Sequence, residues 1–279
     1  MSLSPLLAPR TAIAVLTLLT GCGGTPDAAP DMGDVPVEPR CDGPYVRYRI
    51  TELHVPTPAE AGANTPVGHN VDASADACGV PDFDGGVDNA LIDLSSALHS
   101  FIPPDEGPDL QAAIDAGLGC AIDAAPSECT RLDLIVSLDT EAGCSLIEIE
   151  DGAGTSLAGP FGGTIDASGH LRGVVTAGLS LTVALPAAGG PVDVTLDIRH
   201  MIFTAVVGAD ALTNIVLGGA IERSTFEAML MEVLPLLGDE PSFDDLEPIL
   251  ANLYDVEVDG QCTALSVGFT GSATLVAAP

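Results

Sequence analysis

Between Leu132 and Asp139 the chain alternates, with Leu132, Leu134, Val136 and Leu138 set against Asp133, Ser137 and Asp139, and it alternates again through Val192, Val194, Leu196 and Ile198. A period of two is that of a β-strand, and polar residues at every second position mean one buried face and one wet face. The same pattern runs through Val46, Tyr48 and Ile50, through Leu179, Leu181, Val183 and Leu185, and through Leu265, Val267 and Phe269. Ser145–Glu150 reads as a further strand. Turn-forming clusters, Asp166–Gly169 and Pro186–Pro191, stand between strands where a crossover helix would otherwise be needed. Strands joined this way give an antiparallel sheet.

Helical spacing is rarer. Val87, Leu91, Leu94, Leu98 and Phe101 share one helical face ahead of Pro103-Pro104, and Leu110 with Ile114 indicates a short helix before Gly117. Ser224 and Glu227 have capping-box spacing ahead of an apolar stripe of Phe226, Leu230, Val233, Leu234 and Leu237. A last helix is expected over Asp244–Leu253, with Pro248 tolerated only if it lies in the first turn, where a missing N–H costs nothing. The fold class is α+β: a curved antiparallel β-sheet with a few amphipathic helices packed on one face, stapled by disulfides.

The N-terminus has its own logic. Arg10 precedes an apolar or neutral run, Thr11–Leu19, too short to span a bilayer and ending in Thr20-Gly21. Leu19-Thr20-Gly21-Cys22 resembles the lipobox of bacterial lipoproteins. The resemblance implies a signal peptide over residues 1–21, lipidation of Cys22, and attachment to the membrane through the lipid anchor alone. Gly23 stands where aspartate would signal inner-membrane retention, which favours the outer membrane, with a periplasmic or surface-facing domain. Residues 22–40 are rich in Gly, Pro, Asp and Ala and read as a flexible tether. Residues 41–279 then form a single extracytoplasmic domain.

Lysine is absent, and 8 arginines face 40 acidic residues, for a formal net charge of −32. Such a body repels phosphate backbones, so nucleic acid is excluded as a partner; an envelope protein or a small molecule remains open. Without lysine there is no Walker A loop, Schiff-base chemistry or kinase chemistry. No GxSxG or HExxH motif occurs, and the five histidines show no ligand spacing. A catalytic triad drawn from Ser168 or Ser180 with His170 or His200 is the remaining hydrolase candidate; His99 reads as a packed side chain. The Gly152-Ala153-Gly154 loop reads as a turn, because no helix follows it to receive a phosphate. Apart from Cys22 the cysteines are Cys41, Cys78, Cys120, Cys129, Cys144 and Cys262, an even set in an oxidising compartment and thus three disulfides of undetermined pairing.

One constellation points to a ligand. Asp82, Asp84 and Asp88 alternate through Asp82-Phe83-Asp84-Gly85-Gly86-Val87-Asp88-Asn89, after Asp72 and Asp76. Carboxylates followed by glycines let a tight loop turn hard oxygens inward, as calcium requires, although the twelve-residue EF-hand pattern is missing. The structural alternative is that Asp84 or Asp88 caps a helix starting near Asn89. Asp88-Asn89-Ala90-Leu91 and its acidic loop resemble those of acidic lipoproteins of myxobacterial type, a resemblance that implies no activity. Three functions are carried forward: a non-enzymatic binding or structural module at the envelope, a periplasmic carrier of lipid or another hydrophobic ligand, and a secreted hydrolase with a non-local site.

Overall fold

The alternating segments become the staves of a ring. A computed structural model describes residues 41, 43–61, 67–74, 78–98, 110–118, 132–139, 143–151, 153–175, 178–185, 192–237, 242–258 and 260–276. Its strands are β1 (Tyr45–His54), β2 (Leu132–Asp139), β3 (Cys144–Asp151), β4 (Ser156–Ile165), β5 (His170–Val175), β6 (Leu179–Leu185), β7 (Val192–Val207), β8 (Ala211–Glu222), β9 (Val256–Val258) and β10 (Gln261–Leu275). The hydrogen-bonded order is β1-β2-β3-β4-β5-β7-β8-β10, and β1 also pairs with β10, so the ladder returns to its first strand. Every pairing is antiparallel. The curved sheet expected from the sequence therefore curls into a barrel, with β9 added beside β10 and β6 beside β7.

Register decides what lies inside. Phe203 is paired with Gly173 on β5 and with Leu217 on β8, and Leu217 is paired with Phe269 on β10. With Ile147, Ile149, Phe161, Leu171, Met201 and Leu212 these side chains form one buried apolar cluster. Outward positions carry charge: Arg47 on β1 meets Glu150 on β3 at 2.9 Å, and Arg172 on β5 is exposed. A Cβ on Gly173 would sit 2.7 Å from the Phe161 ring, so that ring fills the position left by the missing side chain.

β7 is twice used. Its first half pairs with β6, burying Leu179, Leu181, Val194, Leu196 and Ile198, while its second half pairs with β5. The change of partner coincides with a register shift between Arg199 and Ile202, where His200 takes a φ of +50°. A bulge there re-aims the alternation so that Met201, Phe203 and Ala205 continue the buried face.

The helices are α1 (Pro58–Ala61), α2 (Ala90–Leu98), α3 (Leu110–Leu118), α4 (Arg223–Leu237) and α5 (Phe243–Leu250). α2 packs on β10, α3 on β1 and β6, and α4 on β7, β8 and β10. Gln111 of α3 ties that helix to β1, receiving Val55 N–H at 2.7 Å and donating to the Leu53 carbonyl at 3.1 Å.

Three expectations about helix ends are corrected. α4 begins directly after β8, so Ser224 is inside the helix and Glu227 is not a capping partner; it accepts from Arg223 Nε and from Tyr254 Oη. α5 starts at Phe243 behind Ser242, whose N–H and hydroxyl both donate to Asp245 Oδ2, and Pro248 lies in its last turn. Gly117, expected to follow α3, lies within it. Phe101 and His99 lie outside the described residues.

Candidate functional site

β8 and β10 are buried on both faces, and their outward-facing residues are small: Gly218 and Ala220 on β8, Ser266 and Gly268 on β10. Small side chains let another layer come close. That layer is the segment Val67–Ser74 together with the loop Asp82–Asn89, which are bridged to each other by the pairing of His69 with Asp88. A Cβ on Gly218 would lie 3.0 Å from the His69 backbone nitrogen, and one on Gly268 would meet the Val67 carbonyl and the Asn89 amide. Only glycine leaves room for both. The layer is pinned covalently as well, since the Cys78–Cys262 disulfide joins it to β10.

Polar groups carry the contact. Asn89, 2 % exposed, donates from Nδ2 to the Val67 carbonyl at 2.6 Å and toward the Gly268 carbonyl. Ser266, fully buried on β10, accepts the first N–H of α2 from Ala90 at 2.6 Å and donates its own hydroxyl to Asp255 Oδ2. Asp255 Oδ1 accepts the Ser266 N–H at 2.8 Å. The start of α2 is therefore capped by a residue from a distant strand, not by Asp84 or Asp88. Asp88 instead accepts the Val71 N–H on Oδ2 at 2.6 Å. His69 Nε2 lies 3.2 Å from the Val216 carbonyl, which it meets as a donor; burial holds its pKa down, against the pull of that bond, and Arg172 adds to the lowering.

The site is acidic. Burial pushes the Asp88 carboxyl up to about 7, the Val71 bond opposes this, and the charges of Asp82, Asp72 and Asp255 add to it. Burial likewise raises Asp255 to about 6, against its bonds from Ser266 and with a contribution from Asp82. Among the described residues no arginine forms an ion pair with either carboxyl. Asp88 Oδ1, Asn89 Oδ1 and Asn70 Oδ1 are buried without a hydrogen-bond partner.

The structure divides the residues singled out from the sequence. The charge of Asp82 acts on Asp88, which stands beside it across the Phe83–Val87 bridge, while Asp84 is exposed on the turn between Phe83 and Val87. Asp82, Asp84 and Asp88 do not converge as three carboxylates on one point, and among the described residues no group of three His, Cys, Asp or Glu does so. Asp76 lies outside the described residues, as do Cys22, Cys120 and Cys129. Cys41 and Cys144 are buried. Of the serines considered for a triad, the Ser180 hydroxyl donates to Asp197, while Ser168 gives its backbone N–H to Asp166 in an exposed turn where Asp166 also meets His170. Asp255 and Ser266 carried no signal in the sequence, because neither stands in a motif and they meet only through the pairing at the start of β10. No family model matches the chain, and no curated protein or solved structure is similar to it.

Proposed function

We propose that the chain is a lipoprotein of the cell envelope, held to the outer membrane through Cys22, whose barrel is a rigid non-enzymatic module for binding or support. The observation that carries this reading is the close packing of the interior among the described residues. Phe203, Phe269, Met201, Leu171, Ile147, Ile149 and Leu212 are all less than 2 % exposed. An eight-stranded barrel is just wide enough for its own side chains to fill. A barrel of this kind has apolar residues inside and charges outside, the reverse of one that spans a membrane, which supports a tethered and not a spanning role. Among the described residues no helix is long and apolar enough to cross a membrane.

The second reading, a carrier of lipid or another hydrophobe, is favoured by an inner face that is largely apolar among the described residues. Native mass spectrometry of the exported chain separates the two. Protein free of retained lipid, apart from an acylated Cys22, supports the scaffold; one lipid per chain, released by solvent extraction, overturns it in favour of the carrier.

A further inference from the structure

We propose that a calcium ion binds on the outer face of the barrel, between the Asn70–Asp72 segment and the Asp82–Asp88 loop, held by Asp88 Oδ1, Asn70 Oδ1 and the Asp82 carboxylate. The argument starts from two oxygens. Asp88 is 1 % exposed, and its Oδ1 is buried with nothing to accept from. Asn70 Oδ1 is buried in the same condition. A buried acceptor left unpaired is costly, and a buried carboxylate more so, unless a cation or a proton meets it.

The two oxygens belong to one place. Asp88 Oδ2 is fixed by the Val71 N–H, the residue next to Asn70. The Asn70 side chain lies against the Asp82–Asp88 loop, where a Cβ on Gly86 would come within 2.8 Å of its Nδ2. That nitrogen donates to the Ser74 carbonyl at 2.7 Å, which sets the amide so that Oδ1 is the atom without a partner. Asp72, which follows in the same segment, accepts the N–H of Ser74 and the N–H of Glu257, one on each carboxylate oxygen.

Amide and carboxylate oxygens mixed in a loop match the six to eight flexible oxygen ligands that calcium takes, with water or backbone carbonyls completing the shell. Magnesium demands a stricter octahedron and sheds water reluctantly, so it fits this set less well. A bound ion would join the two halves of the outer layer beside the Cys78–Cys262 link.

The test is calorimetry and thermal melting of the full chain in detergent, stripped of metal and titrated with Ca²⁺ and then Mg²⁺ at physiological salt. The expected result is one saturable calcium site of about 10⁻⁴ M or tighter, with a raised melting temperature and weaker magnesium binding. Asp88→Asn should weaken it at least ~10-fold, while Asp84→Asn, on the exposed turn, leaves it within about twofold. If Asp88→Asn does not fold, Asn70→Ala reads the same site and should show the same direction of loss. No saturable heat at millimolar calcium overturns the proposal, as does binding that Asp84→Asn abolishes and Asp88→Asn or Asn70→Ala leaves intact.

Discussion

Replacing Ser266 by alanine removes one oxygen atom from the most tightly connected point of the outer layer. That oxygen accepts the Ala90 N–H and donates to Asp255, and Ser266 is fully buried, so water does not replace either bond. A buried N–H left unsatisfied costs about 1–3 kcal/mol, and a bond to a carboxyl group is worth about 1.5–3 kcal/mol. Asp255 keeps its bond from the backbone N–H of residue 266, which limits the second loss. The sum is on the order of 3 kcal/mol. In a domain of this size that lowers the melting temperature by roughly 6–12 °C, at about 2–4 °C per kcal/mol. Urea unfolding supplies the free energy directly, and Ser272→Ala is the control on the same strand. The Ser272 hydroxyl makes only exposed bonds, to Glu52 and at 3.5 Å with Thr51, so its loss should stay within about 0.5 kcal/mol. If Ser266→Ala costs no more than Ser272→Ala, the network linking α2, β10 and Asp255 does not hold the layer.

Further outcomes follow from the same geometry. With metal chelated, Asp88 at about 7 and Asp255 at about 6 titrate above an unfolded aspartate, so the folded chain binds more protons in between. Their contribution is complete below about pH 4 and is lost as pH rises through 6 and 7; melting curves across that window should fall, and Asp88→Asn should flatten the fall. An equal slope in wild type and variant contradicts the assignment. Replacing Cys78 and Cys262 by serine opens a loop of 184 residues' separation, which by chain entropy costs up to about 5 kcal/mol, measured by urea unfolding against the oxidised chain. No loss would mean that the outer layer is held without the disulfide. Gly173→Val pushes a branched side chain into the Phe161 ring and should destabilise by about 1–3 kcal/mol in the same assay; a neutral effect would reveal unfilled space inside the barrel.

Most strands that announce themselves have one wet face: β1, the first part of β6 and the first half of β7 follow the alternation read from the sequence because water lies on one side of each. β10 was also read, from Leu265, Val267 and Phe269, although Ser266 and Gly268 between them are buried too. β8 gave no such signal. From Ile215 to Ile221 it is buried on both faces, so Ile215-Val216-Leu217 reads as an apolar run without a period, and Gly218-Gly219 resembles a turn. Its glycine at 218 serves the approach of His69, a contact between positions far apart in the chain. β4 was hidden by Gly159-Pro160 and Gly162-Gly163, residues that suggest a loop until the crowding of the barrel interior is known. The acidic loop was legible as a collection of carboxylates, and its members Asp82 and Asp88 do lie together. Its true partners were not legible, because Asn70, Asp255 and Ser266 reach it through the pairing of His69 with Asp88 and the register of β10.

The closure of the barrel is tested most directly by hydrogen–deuterium exchange at its seam. Strand β1 pairs with β10 from Tyr48–Leu275 to His54–Thr270, and these two segments are the first and last long strands of the ring. If the ring is closed and filled, peptides covering both should exchange as slowly as those covering β8. Rapid exchange along the seam, with β8 still protected, would mean an open sheet with two free edges and would contradict the account.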